Sequence, residues 1–181
     1  HITETEMQAA KIEAYLSELS FYHNDIQALN AISMVLEHLA PAAHKKREAM
    51  KMMAYAAMLA GISIAHASTI LPHIMGYPLT VYHQIPHGLA SFLVLPAYLN
   101  YLKKGAYAVK KIQKLERVVG GIDRFERLAS QLKISLKLSS YRVRENQFAE
   151  FAKKTMEKSD IEISPGEISA ERIVDIYQSA M

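Results

Sequence analysis

Eighteen residues at positions 71–88, LPHIMGYPLTVYHQIPHG, hold the side chains with the clearest chemical potential in this sequence. His73 and His87 each directly follow a proline, which restricts the backbone and favours a turn or the start of a helix. Gly76 and Gly88 leave backbone space nearby, as a site that admits a ligand requires. Because neutral imidazoles bind divalent metal ions, this pattern is consistent with a metal site.

Two imidazoles hold a divalent ion only weakly, so a third ligand is needed, preferably a carboxylate. The acidic start of the first predicted helix, at positions 4–6, can supply it. The spacing alone leaves a plainer interpretation open, because a histidine after proline is often a helix cap or a surface residue. The other histidines fit that plainer interpretation: His1, His23, His38, His44, His66 and His83.

Composition excludes several kinds of protein. The sequence contains no cysteine, so disulfides and thiolate metal sites are impossible. Its 21 basic and 18 acidic residues are nearly balanced and scattered along the chain, so nucleic acid is not an expected partner. No glycine-rich phosphate loop and no alternation of strands and helices indicates a nucleotide-binding fold. At 181 residues, half of them hydrophobic, the chain is long enough for one domain with a substantial core.

The hydrophobic pattern of the N-terminal half predicts successive helices. The first covers about residues 4–17, with acidic residues in its first turn. Asn24 or Asp25 can cap a second amphipathic helix, which Pro41 is expected to end. A third begins at about Ala43 and becomes almost wholly small and apolar, so we expect it to be the buried central helix.

The C-terminal half continues the helical pattern. A helix is expected to follow His87, with Pro96 kinking or interrupting it before two lysines at its end. Shorter amphipathic segments cover about residues 122–132, 145–158 and 169–181. Strand-like alternation is confined to KISLKLSSYRV. The sequence therefore predicts an all-α, multi-helix domain over residues 1–181.

The longest apolar run, AYAAMLAGISIAHA from Ala54, is expected to be too short and too rich in small residues to span a membrane. The N-terminus lacks a signal-peptide pattern. We therefore expect a soluble, cytoplasmic protein without a membrane partner. Because the chain begins at His1 rather than methionine, we interpret it as a fragment or a separated domain.

Residues 56–96, AAMLAGISIAHASTILPHIMGYPLTVYHQIPHGLASFLVLP, resemble the metal-binding segment of the iron-containing (group III) alcohol dehydrogenases. That family pairs a histidine before a Gly-Tyr-Pro-Leu turn with a second histidine in a Pro-His-Gly motif. KIEAYLS at residues 11–17, followed by Asp25, is similar to another family motif. ISAERIVDIYQSAM at the end is similar to the family's last helix. The resemblance covers nearly the whole chain.

The resemblance implies an enzyme with an N-terminal α/β dinucleotide-binding domain and a C-terminal helical metal-binding domain. This chain resembles only the second. The complete protein would use a divalent metal, Fe²⁺ or Zn²⁺, as a Lewis acid while hydride passes between an alcohol and NAD(P). The product would be an aldehyde or a ketone. Without the cofactor domain, we expect the isolated chain to be inactive.

The same resemblance suggests roles for individual residues. Glu6 falls where the family usually has an aspartate ligand, and Ala10 falls where it usually has a histidine ligand. Glu6, His73 and His87 would then form a three-ligand metal site. Tyr77 stands where many members place a further histidine near the substrate, so its phenol could bind substrate or water. A packing role for Tyr77 stays equally open.

Two other functions remain compatible with the sequence. Loss of the ligand at Ala10 fits a non-catalytic helical module that assembles with a separate nucleotide-binding domain. An enzyme similar to glycerol dehydrogenase or dehydroquinate synthase would share the metal and the cofactor but act on another substrate. A helical domain without its partner should also expose an apolar face, which makes a homo-oligomer possible.

Overall fold

The computed structural model describes the backbone of residues 2–121 and 123–181, with the side chains of residues 9–121 and 124–181. Helices account for nearly all regular structure in these ranges. The α-helices are α1 (Ile2–Leu16), α2 (Tyr22–Ala43), α3 (Arg47–Ala67), α4 (Leu71–His83), α5 (His87–Lys104), α6 (Val109–Val119), α7 (Asp123–Gln131), α8 (Phe148–Met156) and α9 (Ala170–Ser179). Short 3₁₀ helices cover Leu138–Tyr141, Glu145–Gln147 and Ser159–Ile163.

Helix α1 is the central element of the fold. Every described side chain from Ala9 to Leu16 is buried, because α2, α3, α4 and α5 pack around it. Two of these buried residues, Lys11 and Glu13, are ionisable. A helix that is covered on all sides can hold such groups only at an energetic cost, so each requires a specific explanation.

Helices α2 and α3 form an antiparallel pair joined by residues 44–46. Pro41 does not end α2, which continues to Ala43, because a proline in the last turn removes only one hydrogen bond. The predicted caps are also wrong, since α2 begins at Tyr22 without a side-chain cap. Asn24 is buried instead, and its amide donates to the carbonyl of Ala14 and to Ser20 Oγ.

Helix α3 is peripheral, which corrects the expectation of a buried central helix. Its small residues Ala56, Ala60 and Ser63 face the core, but Met58 is 52% exposed and Tyr55 is 47% exposed. The expectation that this run is too short to span a membrane is also corrected. The helix has 21 residues, and an 18-residue window within it has a mean hydropathy of 1.2, which is sufficient by length and composition alone. One such helix is weak evidence for a membrane protein.

Helix α4 is formed by the proline-rich segment, for which the sequence predicted turns or a helix start. Pro72 lies in the first turn, where its missing N–H has no helical partner to lose. Pro78 and Pro96 lie inside α4 and α5, and both helices continue through them. Both helices are largely buried, so packing outweighs the roughly 3 kcal/mol that an interior proline costs.

The C-terminal part covers the other side of α4 and α5. Tyr98 Oη donates to the carbonyl of Pro165, and Tyr177 Oη donates to the carbonyl of Met75. Helix α6, which the sequence did not predict, packs on α2 and α5. Residues 134–137 have no regular secondary structure, no strand forms within the described part of the chain, and Leu138–Tyr141 is a 3₁₀ helix.

Candidate metal centre

The start of α4 is capped by side chains from distant parts of the chain. Glu13 Oε2 accepts from the backbone N–H groups of Ile70, at 2.9 Å, and His73, at 3.1 Å. Ser164 Oγ accepts from the N–H of Leu71 at 2.9 Å. Pro72 has no N–H. The N–H groups of Ile70, Leu71 and His73 therefore donate to side chains from distant parts of the chain. These hydrogen bonds fix the position of His73.

His73 and His87, which the sequence predicted as ligands of one ion, lie side by side in the structure. The three-residue connection 84–86 returns the chain, so that the first residue of α5 lies beside the first half of α4. His73 Nε2 and His87 Nε2 are 2.9 Å apart, so that one imidazole donates a hydrogen bond to the other, and the two rings are nearly perpendicular. Close contact between the helices is possible because Gly76 faces the backbone of Ser91.

This arrangement fits two ligands of one divalent ion. If an ion lay about 2.05 Å from each of these two nitrogens, the N–ion–N angle would be about 90°, as in octahedral coordination. A tetrahedral site needs a nitrogen separation larger by roughly 0.4 Å. Glu6, the predicted third ligand, has its side chain outside the described residues. The methyl group of Ala10 offers no ligand atom.

No group of three or more histidine, aspartate or glutamate side chains is placed to hold a metal ion among the residues with described side chains. His83 and His66 have other contacts, in agreement with the plainer interpretation of them. His83 Nε2 lies 3.0 Å from Gln147 Oε1, and His66 Nδ1 lies 2.7 Å from the carbonyl oxygen of Ile62. The centre thus has two described candidate ligands, His73 and His87.

Electrostatics at the centre favour neutral imidazole, the form that binds metal. Burial and, to a smaller extent, the neighbouring His87 lower the pKa of His73 to about 4, and the charge of Asp160 partly opposes this shift. Burial raises the pKa of the fully buried Glu13 carboxyl to about 8, while the N–H donors of Ile70 and His73 oppose the rise. Glu13 Oε1 lies 3.9 Å from His73 Nδ1 and has no hydrogen-bond partner among the described residues.

Tyr77 forms one wall of the centre. Its ring stacks on His87 with centroids 5.4 Å apart, and it meets His73 edge-on at 5.6 Å. The residue is 41% exposed, so its phenol is accessible from outside. Burial and the negative charge of Asp160 raise the pKa of this phenol. Tyr77 is therefore placed to contact a molecule that approaches the two histidines.

Sequence reasoning did not assign roles to Glu13, Asp160 or Ser164. A signal for Glu13 was present, because a carboxylate between Ile12 and Ala14 interrupts an apolar stretch of α1. Asp160 and Ser164 lie about 90 residues from His73 along the chain, in and directly after a short 3₁₀ helix. Only the fold brings them to the start of α4.

Comparison with known proteins identifies relatives of this helical architecture. The family model described as Fe-containing alcohol dehydrogenase family, C-terminal, matches residues 3–181. An NADPH-dependent butanol dehydrogenase of Clostridium saccharobutylicum is 30% identical over 147 residues, which cover 76% of this chain and 38% of that protein. Alcohol dehydrogenase 4 of Schizosaccharomyces pombe is 26% identical, covering 94% of this chain and 43% of that protein.

Solved structures agree with these sequence matches. The crystal structure of an iron-containing alcohol dehydrogenase superposes with a TM-score of 0.84 at 29% identity, covering 98% of this chain and 47% of that one. An alcohol dehydrogenase from Oenococcus oeni superposes with a TM-score of 0.92, covering 99% of this chain and 50% of that one. At 22% identity the second match supports the fold alone.

The chain belongs to the Fe-containing alcohol dehydrogenase family and corresponds to its C-terminal domain. The resemblance inferred from the sequence and the all-α fold are both confirmed. The chain spans about half the length of the solved relatives and less than half of the two curated ones.

Proposed function

We propose that this chain is the metal-binding domain of an NAD(P)-linked dehydrogenase that interconverts a small alcohol with an aldehyde or ketone. The observation that carries the proposal is the convergence of His73 Nε2 and His87 Nε2, at 2.9 Å, in a member of this family. The curated relatives include a butanol dehydrogenase and 1,3-propanediol dehydrogenases, which supports a small alcohol as the substrate class.

In this proposal His73 and His87 hold a divalent ion, Fe²⁺ or Zn²⁺, together with Glu6. The bound ion would supply Lewis-acid polarisation of the substrate oxygen. Tyr77 provides an aromatic wall beside His87 and a phenol that can hydrogen-bond the substrate or a water. Burial keeps His73 neutral, so its ring nitrogen stays available as a ligand at neutral pH.

The nicotinamide cofactor would be held by a dinucleotide-binding domain outside this chain. The lengths of the relatives support this division, because the match covers 47% of one solved iron-containing alcohol dehydrogenase. We therefore expect no NAD(P)H-dependent reduction of aldehydes by this chain alone. A cytoplasmic location stays a prediction.

Calorimetric titration of the metal-stripped chain tests the metal site. Zn²⁺ is titrated first, then Fe²⁺ under anaerobic conditions, into the native chain and into His73→Ala, His87→Ala and Glu6→Gln. We expect one ion per chain with micromolar affinity or tighter, lost in both histidine variants and weakened in Glu6→Gln. His83→Ala is the matched control, since His83 contacts Gln147 instead, and it should bind normally.

A non-catalytic assembly module is the second candidate, and Ala10 favours it because the usual ligand atom at that position is missing. Absence of ion binding by the native chain, or binding indifferent to both histidine substitutions, would support the module and contradict the dehydrogenase proposal. An enzyme similar to glycerol dehydrogenase or dehydroquinate synthase would give the same titration result, because it would differ from the proposed dehydrogenase only in its substrate.

A further inference from the structure

We infer that Glu13 is a positioning residue for His73: one carboxylate oxygen fixes the start of α4, and the other supports the imidazole so that Nε2 faces His87 and a bound cation. The inference rests on the proposed function, because it concerns a ligand of that metal site. Glu13 itself does not bind the ion; it acts through His73. Three observations support it.

The first observation is that a single oxygen accounts for both hydrogen bonds of the Glu13 side chain. Oε2 accepts from both Ile70 N–H and His73 N–H. A capping role therefore needs only one acceptor atom, and Ser164 provides such an acceptor for Leu71 with its hydroxyl. Capping alone does not explain why a carboxylate occupies a position that is 0% exposed.

The second observation is the position of the other oxygen. Oε1 lies 3.9 Å from His73 Nδ1 and has no other partner among the described residues. A rotation of the imidazole that brings the atoms closer by about 1 Å would form an ordinary hydrogen bond. An unsatisfied buried oxygen favours such a movement, because it has lost its hydrogen bonds to water without gaining a partner in the protein.

The third observation is the division of labour between the two ring nitrogens. His73 Nε2 faces His87, so Nε2 is the atom available to a cation. When Nε2 donates its lone pair to an ion, the proton of a neutral imidazole must be on Nδ1. Once the Glu13 carboxyl is ionised, its Oε1 is placed to accept that proton in a hydrogen bond, as outer carboxylates do for metal-bound histidines.

Glu13→Gln separates this role from capping. The amide oxygen can replace Oε2 and keep both backbone bonds, while the NH₂ group takes the place of Oε1. That group is a donor, so it opposes an Nδ1–H and favours the tautomer whose proton is on Nε2. The variant should keep its fold and lose affinity for a cation. Glu37→Gln is the matched control, because Glu37 is an exposed carboxylate of α2.

Zn²⁺ titration of the native chain, Glu13→Gln and Glu37→Gln is the first experiment. We expect the Zn²⁺ dissociation constant to rise about 10- to 100-fold in Glu13→Gln and to stay unchanged in Glu37→Gln. Equal Zn²⁺ affinity in the native chain and Glu13→Gln would overturn the inference and leave the proposed function intact. No Zn²⁺ binding by the native chain would instead contradict the proposed function.

NMR of the metal-free chains tests the inference without metal. The amide proton of Ile70 should exchange slowly in the native chain and Glu13→Gln, and at least tenfold faster in Glu13→Ala. The His73 N–H also donates to the carbonyl of Ile70, so its exchange should change less. At pH 9, where the native Glu13 carboxyl with its pKa of about 8 is ionised, the ring nitrogen shifts of His73 should also differ between the native chain and Glu13→Gln. Fast exchange in the native chain, or identical ring shifts in the two proteins, would overturn the inference.

Discussion

One turn of α1 buries two ionisable side chains, and their surroundings differ. Glu13 has two backbone donors and lies against His73. Lys11 is also 0% exposed, but its ammonium has no hydrogen-bond partner among the residues with described side chains. Glu13 therefore caps the start of α4, whereas burial of the Lys11 ammonium lowers the stability of the fold.

Lys11→Met should stabilise the protein at neutral pH and below. Burial lowers the pKa of Lys11 from 10.5 to about 7, so between these values the unfolded chain binds more protons than the folded chain. The free energy of unfolding therefore rises as the pH increases from about 7 to 10.5, because the folded chain no longer buries a charge there. Below about pH 7 the full cost of burying the charged ammonium is present. That cost has an upper limit of about 5 kcal/mol.

Urea unfolding at pH 6, 8 and 10 measures this effect. Lys11→Met should exceed the native chain in stability by about 2–4 kcal/mol at pH 6, and the difference should shrink as the pH rises. Lys51→Met is the control, because Lys51 is exposed beside Glu48 and should give a small, pH-independent change. A pH-independent gain in Lys11→Met would show that Lys11 does not titrate as its burial indicates.

Tyr77→Phe should preserve folding and reduce turnover in a protein that also carries the cofactor domain. The ring would still stack on His87, so the stability change should stay within about 0.5 kcal/mol. Loss of a substrate hydrogen bond should lower kcat/KM about tenfold, or about 1.4 kcal/mol. Steady-state kinetics measure this ratio, and an unchanged kcat/KM would assign Tyr77 to packing alone.

The contact between α4 and α5 determines whether His73 and His87 meet. A Cβ added to Gly76 would lie 2.9 Å from Ser91 Oγ and 3.0 Å from the Ser91 backbone nitrogen. The hydroxyl can rotate away, whereas the backbone atom cannot. Glycine at this position therefore permits the close approach of the two helices.

Gly76→Ala should separate α4 from α5 and weaken the candidate metal centre. We expect destabilisation by about 1–3 kcal/mol and weaker Zn²⁺ binding. Gly61→Ala is a matched control, because Gly61 lies inside α3 with nothing within 4 Å of the added Cβ. It should be neutral or stabilising by up to about 1 kcal/mol. Thermal unfolding and calorimetry distinguish the two, and equal effects would contradict the packing argument.

Periodicity predicted most helices because their apolar spacing is local, and the pairing of His73 with His87 followed from the resemblance. The errors arose where tertiary contacts outweigh local preference. Helix α4 forms despite its prolines, because Glu13 supplies the cap that the local sequence lacks. The burial of α3 was overestimated, because composition does not indicate how many faces of a helix are covered.

The chain spans about half the length of the solved proteins it resembles, and one side of the chain is apolar. Helix α3 exposes Met50, Tyr55, Met58 and Ile62, each 36–52% accessible. From Met52 to Ala65 it carries no acidic or basic residue. A surface of this kind favours association of the isolated chain.

Light scattering should therefore show concentration-dependent self-association of the native chain. Met58→Lys, at the middle of the exposed face of α3, should reduce it without unfolding the protein. Val109→Lys is the control, because Val109 is similarly exposed, at 43%, on α6. A native chain that stays monomeric at all concentrations, or equal effects of the two variants, would contradict the assignment to α3.

The hydrogen bonds from Glu13 to the start of α4 also constrain the order of folding. They join residues separated by 57 and 60 positions, and the α2–α3 pair lies between them in the chain. That pair closes through a three-residue connection, so its loop entropy cost is small and it can form early. Docking of α1 against α4 closes a much longer loop and must come later. Acquisition of zinc affinity during refolding would consequently report completion of the native topology rather than formation of its helices.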